Sequence, residues 1–133
     1  MLFRSPQTGR VPVDRVVVGQ DNGLVVNPAG VRHQVHGNVI QVLSRTLKEQ
    51  VTFTDQGVES QEWGGYPILR FDEVPEVEVL IMDRPSEPPL GSGESASVPG
   101  PSALASALFD ATGQRFLRPP FLPHLVKQAL DRA

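Results

Sequence analysis

Hydrophobic and polar positions fall in blocks along this chain, and the period changes from block to block. Val11, Val13, Val16, Val17 and Val18 make residues 11–18 an apolar, β-branched run that suits a pleated strand. Pro12 has no N–H and belongs at the start or the edge of that strand. Asp21-Asn22-Gly23 closes it with a turn signal. Leu24-Val25-Val26 then reads as a short second strand before the turn Asn27-Pro28-Ala29-Gly30. From Val31 to Gln50 the spacing lengthens to three and four residues, through Val31, Val35, Val39, Val42 or Leu43, Thr46 and Leu47. That is the stripe of an amphipathic helix, with Arg45, Lys48 and Glu49 on its wet side. Gly37 is out of place there, because glycine costs ~1 kcal/mol against alanine in a helix interior.

Beyond the helix, Val51–Thr54 is strand-like and ends in the turn Asp55-Gln56-Gly57. Val58 to Trp63 reads as extended, Gly64-Gly65 breaks the chain, and Tyr66 to Phe71 extends again. Glu76 to Met82 alternates charged and apolar side chains, as a strand with one wet face does. Residues 84–102 are the most irregular stretch. Ala103, Leu104, Ala107, Leu108 and Ala111 then form a helical stripe, with Gly113 suited to a left-handed cap. A last helix is expected from about Pro123 to Ala133, with Pro123 in its first turn. The fold class expected from this pattern is α+β: a mixed or antiparallel sheet of about five strands with about three helices against it.

Composition narrows the function. Lys+Arg is 12 and Asp+Glu 15, a net charge of −3, so the chain lacks the basic footprint of a nucleic-acid binder. With Cys at 0 it can build no disulfide, thiolate metal site, iron–sulfur cluster or thiol nucleophile. Gly at 12 and Pro at 13 call for many turns and loops. No apolar run approaches the ~20 residues of a membrane helix, so no membrane insertion by this chain is expected. The start, MLFRSPQTGR, has no apolar signal core. That points to the cytoplasm for the chain alone, with the periplasm open through a partner.

The candidate chemistry is concentrated in Leu90-Gly91-Ser92-Gly93-Glu94-Ser95. Gly91 and Gly93 let a backbone approach a bulky ligand without Cβ clashes, and their N–H groups can face an anion. Glu94 is a carboxylate such a loop could hold as a general base. Ser92, Ser95 and Ser97 could donate to phosphate or pterin oxygens. The same composition also suits a flexible Gly/Ser linker. However, the stretch lies between an apolar strand and an apolar helix, which pins both of its ends. His33 and His36 could share a helix face, but hydrogen-bonded surface histidines are the default there, so no metal ligand is assigned. Gln34 can present an amide to a polar ligand, with Gly37 one turn later. Trp63, Tyr66 and Phe71 cluster around Gly64-Gly65 and are expected to be core or interface anchors. Asp83-Arg84 and Arg115 through Arg118 look like solvated charge. No P-loop follows Gly93, and no Ser-His-Asp arrangement is legible.

The motifs occur in a telling order: Asp21-Asn22-Gly23, Asn27-Pro28, Gln34 through Gly37, Glu62-Trp63, Tyr66 through Pro75, Gly91 through Glu94, and Ala111-Thr112-Gly113. Over nearly the whole chain, from about Gly9 to Ala129, this resembles the C-terminal segment of the molybdopterin-binding large subunit of the xanthine dehydrogenase/aldehyde oxidase family. The branch it is most similar to is the isoquinoline 1-oxidoreductase and nicotinate dehydrogenase type. The resemblance implies that residues 1–133 are a single partial domain, the C-terminal portion of a molybdenum-cofactor-binding domain, with 84–102 as its irregular active-site loop. It implies a molybdopterin cofactor carrying molybdenum, in the cytosine dinucleotide form, with iron–sulfur clusters only on a partner subunit. It further implies hydroxylation of an electron-poor C–H carbon, in an N-heteroaromatic or an aldehyde, with water-derived oxygen. Glu94 would be the base. Gln34, Gly37, Gly91, Ser92, Gly93 and Ser95 would face the cofactor. Asn38 departs from the family, which usually has Gly or Ala there. Partners would be the remaining large-subunit segments and an iron–sulfur subunit. The length suggests a split subunit or a truncated piece, inactive in isolation. The alternative is a non-catalytic remnant or a small interaction module that folds alone.

Overall fold

The computed structural model describes residues 7–132. Strand β1 spans Arg15–Gln20 and strand β4 spans Glu76–Ile81. They pair in parallel, with Arg15 opposite Glu76 and Gln20 opposite Ile81. Between them in sequence lie helix α1 (Pro28–Leu47), the small antiparallel hairpin of β2 (Phe53–Thr54) and β3 (Gly57–Val58), and a 3-10 turn at Phe71–Glu73. Helices α2 (Gly100–Thr112) and α3 (Pro123–Leu130) follow.

The sheet expected from the sequence is corrected in number and in sense. Four strands form among the described residues, in two separate two-stranded sheets rather than one of about five. Leu24-Val25-Val26 is not a strand. The Leu24 N–H donates to the Glu87 carbonyl at 3.0 Å, no ladder continues from it, and a helix cap begins at once at Asn27. Beyond Val58, which ends β3, residues 59–71 add no strand either. The Glu62 carbonyl accepts from both Gly65 and Tyr66, which curls the chain, and the Leu69 N–H donates to the Ser44 hydroxyl of α1 at 2.9 Å instead of to a strand.

Helix α1 starts three residues before the apolar period does. The Asn27 side chain accepts from the Gly30 N–H at 2.9 Å, and Pro28 stands in the first turn, where its missing N–H costs nothing. Of the predicted stripe, Val35, Val39, Val42, Leu43, Thr46 and Leu47 are buried and Val31 is half-buried. The stripe packs against Val79 of β4, Leu104 and Leu108 of α2, Phe121, and Val126 of α3, which together form the core. Leu108, Val35 and Val126 are the fully sealed side chains. α2 begins at Gly100, where α1 comes so close that a Cβ would lie 2.4 Å from Val42 Cγ1. It ends on Gly113 at φ 70°, the left-handed cap read from the sequence. α3 stops at Leu130, and Ala133, to which the last helix was expected to run, lies outside the described residues.

The aromatic cluster is not core. Trp63 is 81% exposed and Phe71 98% exposed. Only Tyr66 is half-buried, its hydroxyl donating to Glu49 at 2.9 Å, and that bond to a carboxylate raises the phenol above its ordinary value. Among the described residues, no helix is long and apolar enough to cross a membrane.

Candidate functional site

The loop at 90–97 is held along its length by three buried residues that carry side-chain amides. Asn22, in the turn after β1, is 2% exposed. Its backbone carbonyl accepts from the Leu90 N–H at 2.8 Å, and its Nδ2 donates to the Gly91 carbonyl at 3.3 Å. Gln20, the last residue of β1, accepts at Oε1 from the Ser95 hydroxyl at 3.0 Å. Asn38, on the buried side of α1, donates to the Gly93 carbonyl at 2.9 Å and accepts from the Ser97 hydroxyl at 2.9 Å. The Ser97 N–H closes the turn onto the Glu94 carbonyl at 3.1 Å, and Ala96 is buried beneath. The loop is therefore a fixed structure and not a free linker, as its place between β4 and α2 suggested.

Glu94 lies exposed at the crest of this loop. Gly91 and Gly93 flank Ser92, which is half-buried. Gln34 is exposed one turn before Asn38 on α1, so the helix presents it on the side where Asn38 meets Gly93. Gly37 is exposed beside it. The sequence-predicted residues thus fall into two groups, the loop and a turn of α1, which the Asn38 bonds to Gly93 and Ser97 join. Ser95 is the exception in kind, because its hydroxyl hydrogen is committed to Gln20.

The glycines are informative by what surrounds them. A Cβ built on Gly37, Gly91 or Gly93 meets nothing within 4 Å, and none of the three has positive φ. Neither backbone conformation nor packing within this chain requires glycine there. Elsewhere the chain does require it: Gly23 has φ +64° and a Cβ would sit 2.2 Å from the Pro88 carbonyl oxygen. The one buried side-chain polar atom without a hydrogen-bond partner among the described residues is Asn22 Oδ1. Asn22 lines a small open cavity of ≈ 280 Å³ together with Leu24, Val31, Leu90, Gly91 and Ser92. An orphaned acceptor beside Cβ-free backbone fits a bulky ligand that carries N–H or O–H donors. A larger groove of ≈ 780 Å³ lies at the other end of α1, lined by Val11, Val13, Leu43, Leu47 and Phe121, and contains none of the predicted site residues.

Around the site, Asp21 accepts from the Gly23 N–H at 3.0 Å and from Arg84 at 2.9 Å. The Gly23 bond first and the Arg84 bond second hold its carboxyl below the ordinary value. Arg84 is thus paired across the base of the loop rather than merely solvated. His33, His36 and His124 are all exposed. No cluster of three His, Cys, Asp or Glu able to hold a metal ion exists among the described residues.

Gln20, Asn22 and Asn38 are the residues that sequence reasoning missed as anchors. A signal existed for Asn38. It lies three residues after Val35 and four before Val42, on the apolar stripe, where a polar side chain must find partners.

Residues 5–75, more than half of the chain, match the family model described as a molybdopterin cofactor-binding domain. The chain belongs to the molybdopterin cofactor-binding domain family. This domain is 59% identical over 124 residues to a nicotinate dehydrogenase chain of Pseudomonas putida, a match covering 93% of the domain and 10% of that protein. It is 30% identical over 115 residues to the beta chain of isoquinoline 1-oxidoreductase from Brevundimonas diminuta, covering 86% of the domain and 15% of that protein. It therefore spans a small fraction of the length of these relatives. Among solved structures, quinoline 2-oxidoreductase from Pseudomonas putida 86 superposes with a TM-score of 0.83 at 25% identity, over 94% of this chain and 17% of that one. The Cu,Mo-CO dehydrogenase, at 21% identity and a TM-score of 0.85 over 96% of this chain and 17% of that one, shares the fold.

Proposed function

We propose that this chain is the C-terminal part of the cofactor-binding domain of a molybdenum hydroxylase, and that Glu94 is the base of the reaction. The observation that carries the proposal is the Gly91–Glu94 loop. It is clamped by Asn22, Asn38 and Gln20, yet it presents Cβ-free backbone to open space beside the unpartnered Asn22 Oδ1. When bound, molybdopterin with its molybdenum supplies oxygen transfer and two-electron oxidation at an electron-poor C–H carbon.

The chain's own residues do the rest. Gly37, Gly91 and Gly93 leave room for the cofactor, with Gln34, Ser92 and Ser95 along the same wall. Asn22 Oδ1 accepts from a cofactor N–H or O–H. Glu94 takes the proton released as oxygen is transferred. Its carboxylate is exposed on this chain, where the remaining large-subunit segments would cover it. An N-heteroaromatic substrate is favoured over an aldehyde by the likeness to nicotinate dehydrogenase and isoquinoline 1-oxidoreductase. This stretch has 0 cysteines, so the iron–sulfur clusters that take the electrons are carried by polypeptide outside it, for which an iron–sulfur partner subunit is proposed. The cytosine dinucleotide form of the cofactor is part of the same proposal.

An interaction module folding alone fits less well. Trp63, Phe71 and the hairpin residues Phe53 and Val58 are each exposed, as expected for side chains that other polypeptide covers. The test is to prepare the assembled enzyme with and without this chain. Molybdenum content and hydroxylation of an N-heteroaromatic acid should both require it. Full molybdenum content without it would contradict the proposal.

A further inference from the structure

We propose that Asn38 is a positioning residue for Glu94, holding the loop from α1 on both sides of the glutamate. The inference rests on the reading of Glu94 as the base. One carboxamide makes both contacts. Nδ2 donates to the carbonyl of Gly93, the residue before Glu94, at 2.9 Å. Oδ1 accepts from the hydroxyl of Ser97, three residues after it, at 2.9 Å. The Ser97 N–H in turn donates to the Glu94 carbonyl at 3.1 Å. The peptide on either side of Glu94 is therefore fixed relative to a helix rather than relative to the loop itself.

The anchor is rigid. Asn38 is 6% exposed and stands between Val35 and Val39 on the core face of α1, so its amide cannot turn to water. Its neighbour Gly37 is the open, exposed glycine of the same helical turn. One turn of α1 thus does two things: Gly37 leaves space at the surface while Asn38 sets the loop above it. A glycine or alanine at 38 could make neither contact with the loop. This chain therefore fixes Glu94 by side-chain hydrogen bonds that a small residue would leave out. Ser97 acts through Asn38, and the two form one unit.

The experiment is done in the assembled enzyme, with Asn38→Ala, Asn38→Asp, Ser97→Ala, the double variant, and Glu94→Gln in parallel. Amide hydrogen exchange over residues 92–97 is read beside steady-state kinetics. Asn38→Ala should speed exchange there at least about tenfold. It should lower kcat by about 10-fold to 100-fold, since small misplacement of a reacting group is costly. KM should stay within about twofold, because the loss is of orientation and not of substrate binding. Asn38→Asp keeps the volume and the acceptor for Ser97 but sets a carboxylate oxygen against the Gly93 carbonyl, and should be at least as damaging as Asn38→Ala. The double variant should be no worse than Asn38→Ala, as expected for residues acting as a unit. Unchanged exchange, or unchanged kcat with molybdenum retained, overturns the proposal. If Asn38→Ala does not assemble, Ser97→Ala decides by the same two readouts. Full turnover in Glu94→Gln overturns the base reading and this role with it. Loss of turnover in Glu94→Gln alone, with Asn38→Ala and Ser97→Ala at wild-type rates, overturns the role of Asn38 and leaves the base standing.

Discussion

The hydroxyl of Ser95 donates to Oε1 of Gln20 at 3.0 Å, so the residue after Glu94 hangs from the last residue of β1. Gln20 is 7% exposed, and an acceptor buried to that degree needs its donor. Ser95→Ala should therefore lower stability by about 0.5–1.5 kcal/mol, read as a shift in the denaturant midpoint with the slope unchanged. An unchanged midpoint would mean that water replaces the hydroxyl at no cost.

Gly93→Ala separates the fold from the ligand. The added Cβ meets nothing within 4 Å and φ is not positive, so the folded chain tolerates it. Stability should stay level or rise by about 0.4–1 kcal/mol, through the unfolded state. Molybdenum retained by the assembled enzyme should nevertheless fall, because the methyl occupies the space left for the cofactor. Gly37→Ala should behave alike, with added helix propensity. A variant that keeps both full stability and full molybdenum would show that the open glycine has no ligand to admit.

Gly23→Ala is the opposite case. At φ +64° with a Cβ 2.2 Å from the Pro88 carbonyl oxygen, it strains the turn that carries Asn22. Thermal unfolding should show a loss of more than about 1 kcal/mol. No loss would mean that residues 21–23 and 88 separate at little cost.

What was legible in the sequence divides along range. The buried stripe of α1, the Gly113 cap and the Pro123 start of α3 depend on neighbours a few residues away, and period and capping chemistry reveal them. The sheet did not follow, because β1 and β4 pair across 61 positions of sequence, as the register Arg15↔Glu76 requires. Residues 66–71 look like a strand by composition, yet their Leu69 N–H is satisfied by Ser44 of a helix. Gly91 to Glu94 stood out as a motif, whereas Gln20, Asn22 and Asn38 look like ordinary polar residues until the loop is seen lying on them. Trp63 and Phe71 read as core or interface anchors because apolarity says that a side chain will be covered, but not by which segment of polypeptide.

The 3-10 turn at Phe71–Glu73 is joined to α1 by the Lys48–Glu73 ion pair. Burial opposes ionisation of Glu73, but the Lys48 ammonium and the Arg70 N–H outweigh it and hold the carboxyl below the ordinary 4.5. A depressed folded value means stability that is present above 4.5 and lost as pH falls through the lowered value. Both partners are partly exposed, so the effect should stay below about 1 kcal/mol. The stability difference between wild type and Glu73→Gln should be constant near neutral pH and vanish in acid. A difference that grows in acid would contradict this sign.

The central claim is that Glu94 moves the proton, and Glu94→Gln in the assembled, molybdenum-loaded enzyme tests it most directly. Glutamine keeps the size and the loop contacts, which run through the backbone of residue 94 and through its neighbours. Molybdenum content and exchange protection of residues 92–97 should match wild type, while kcat falls by about 10²–10⁴-fold, the usual contribution of a positioned general base. Turnover at the wild-type rate with full molybdenum would contradict the account.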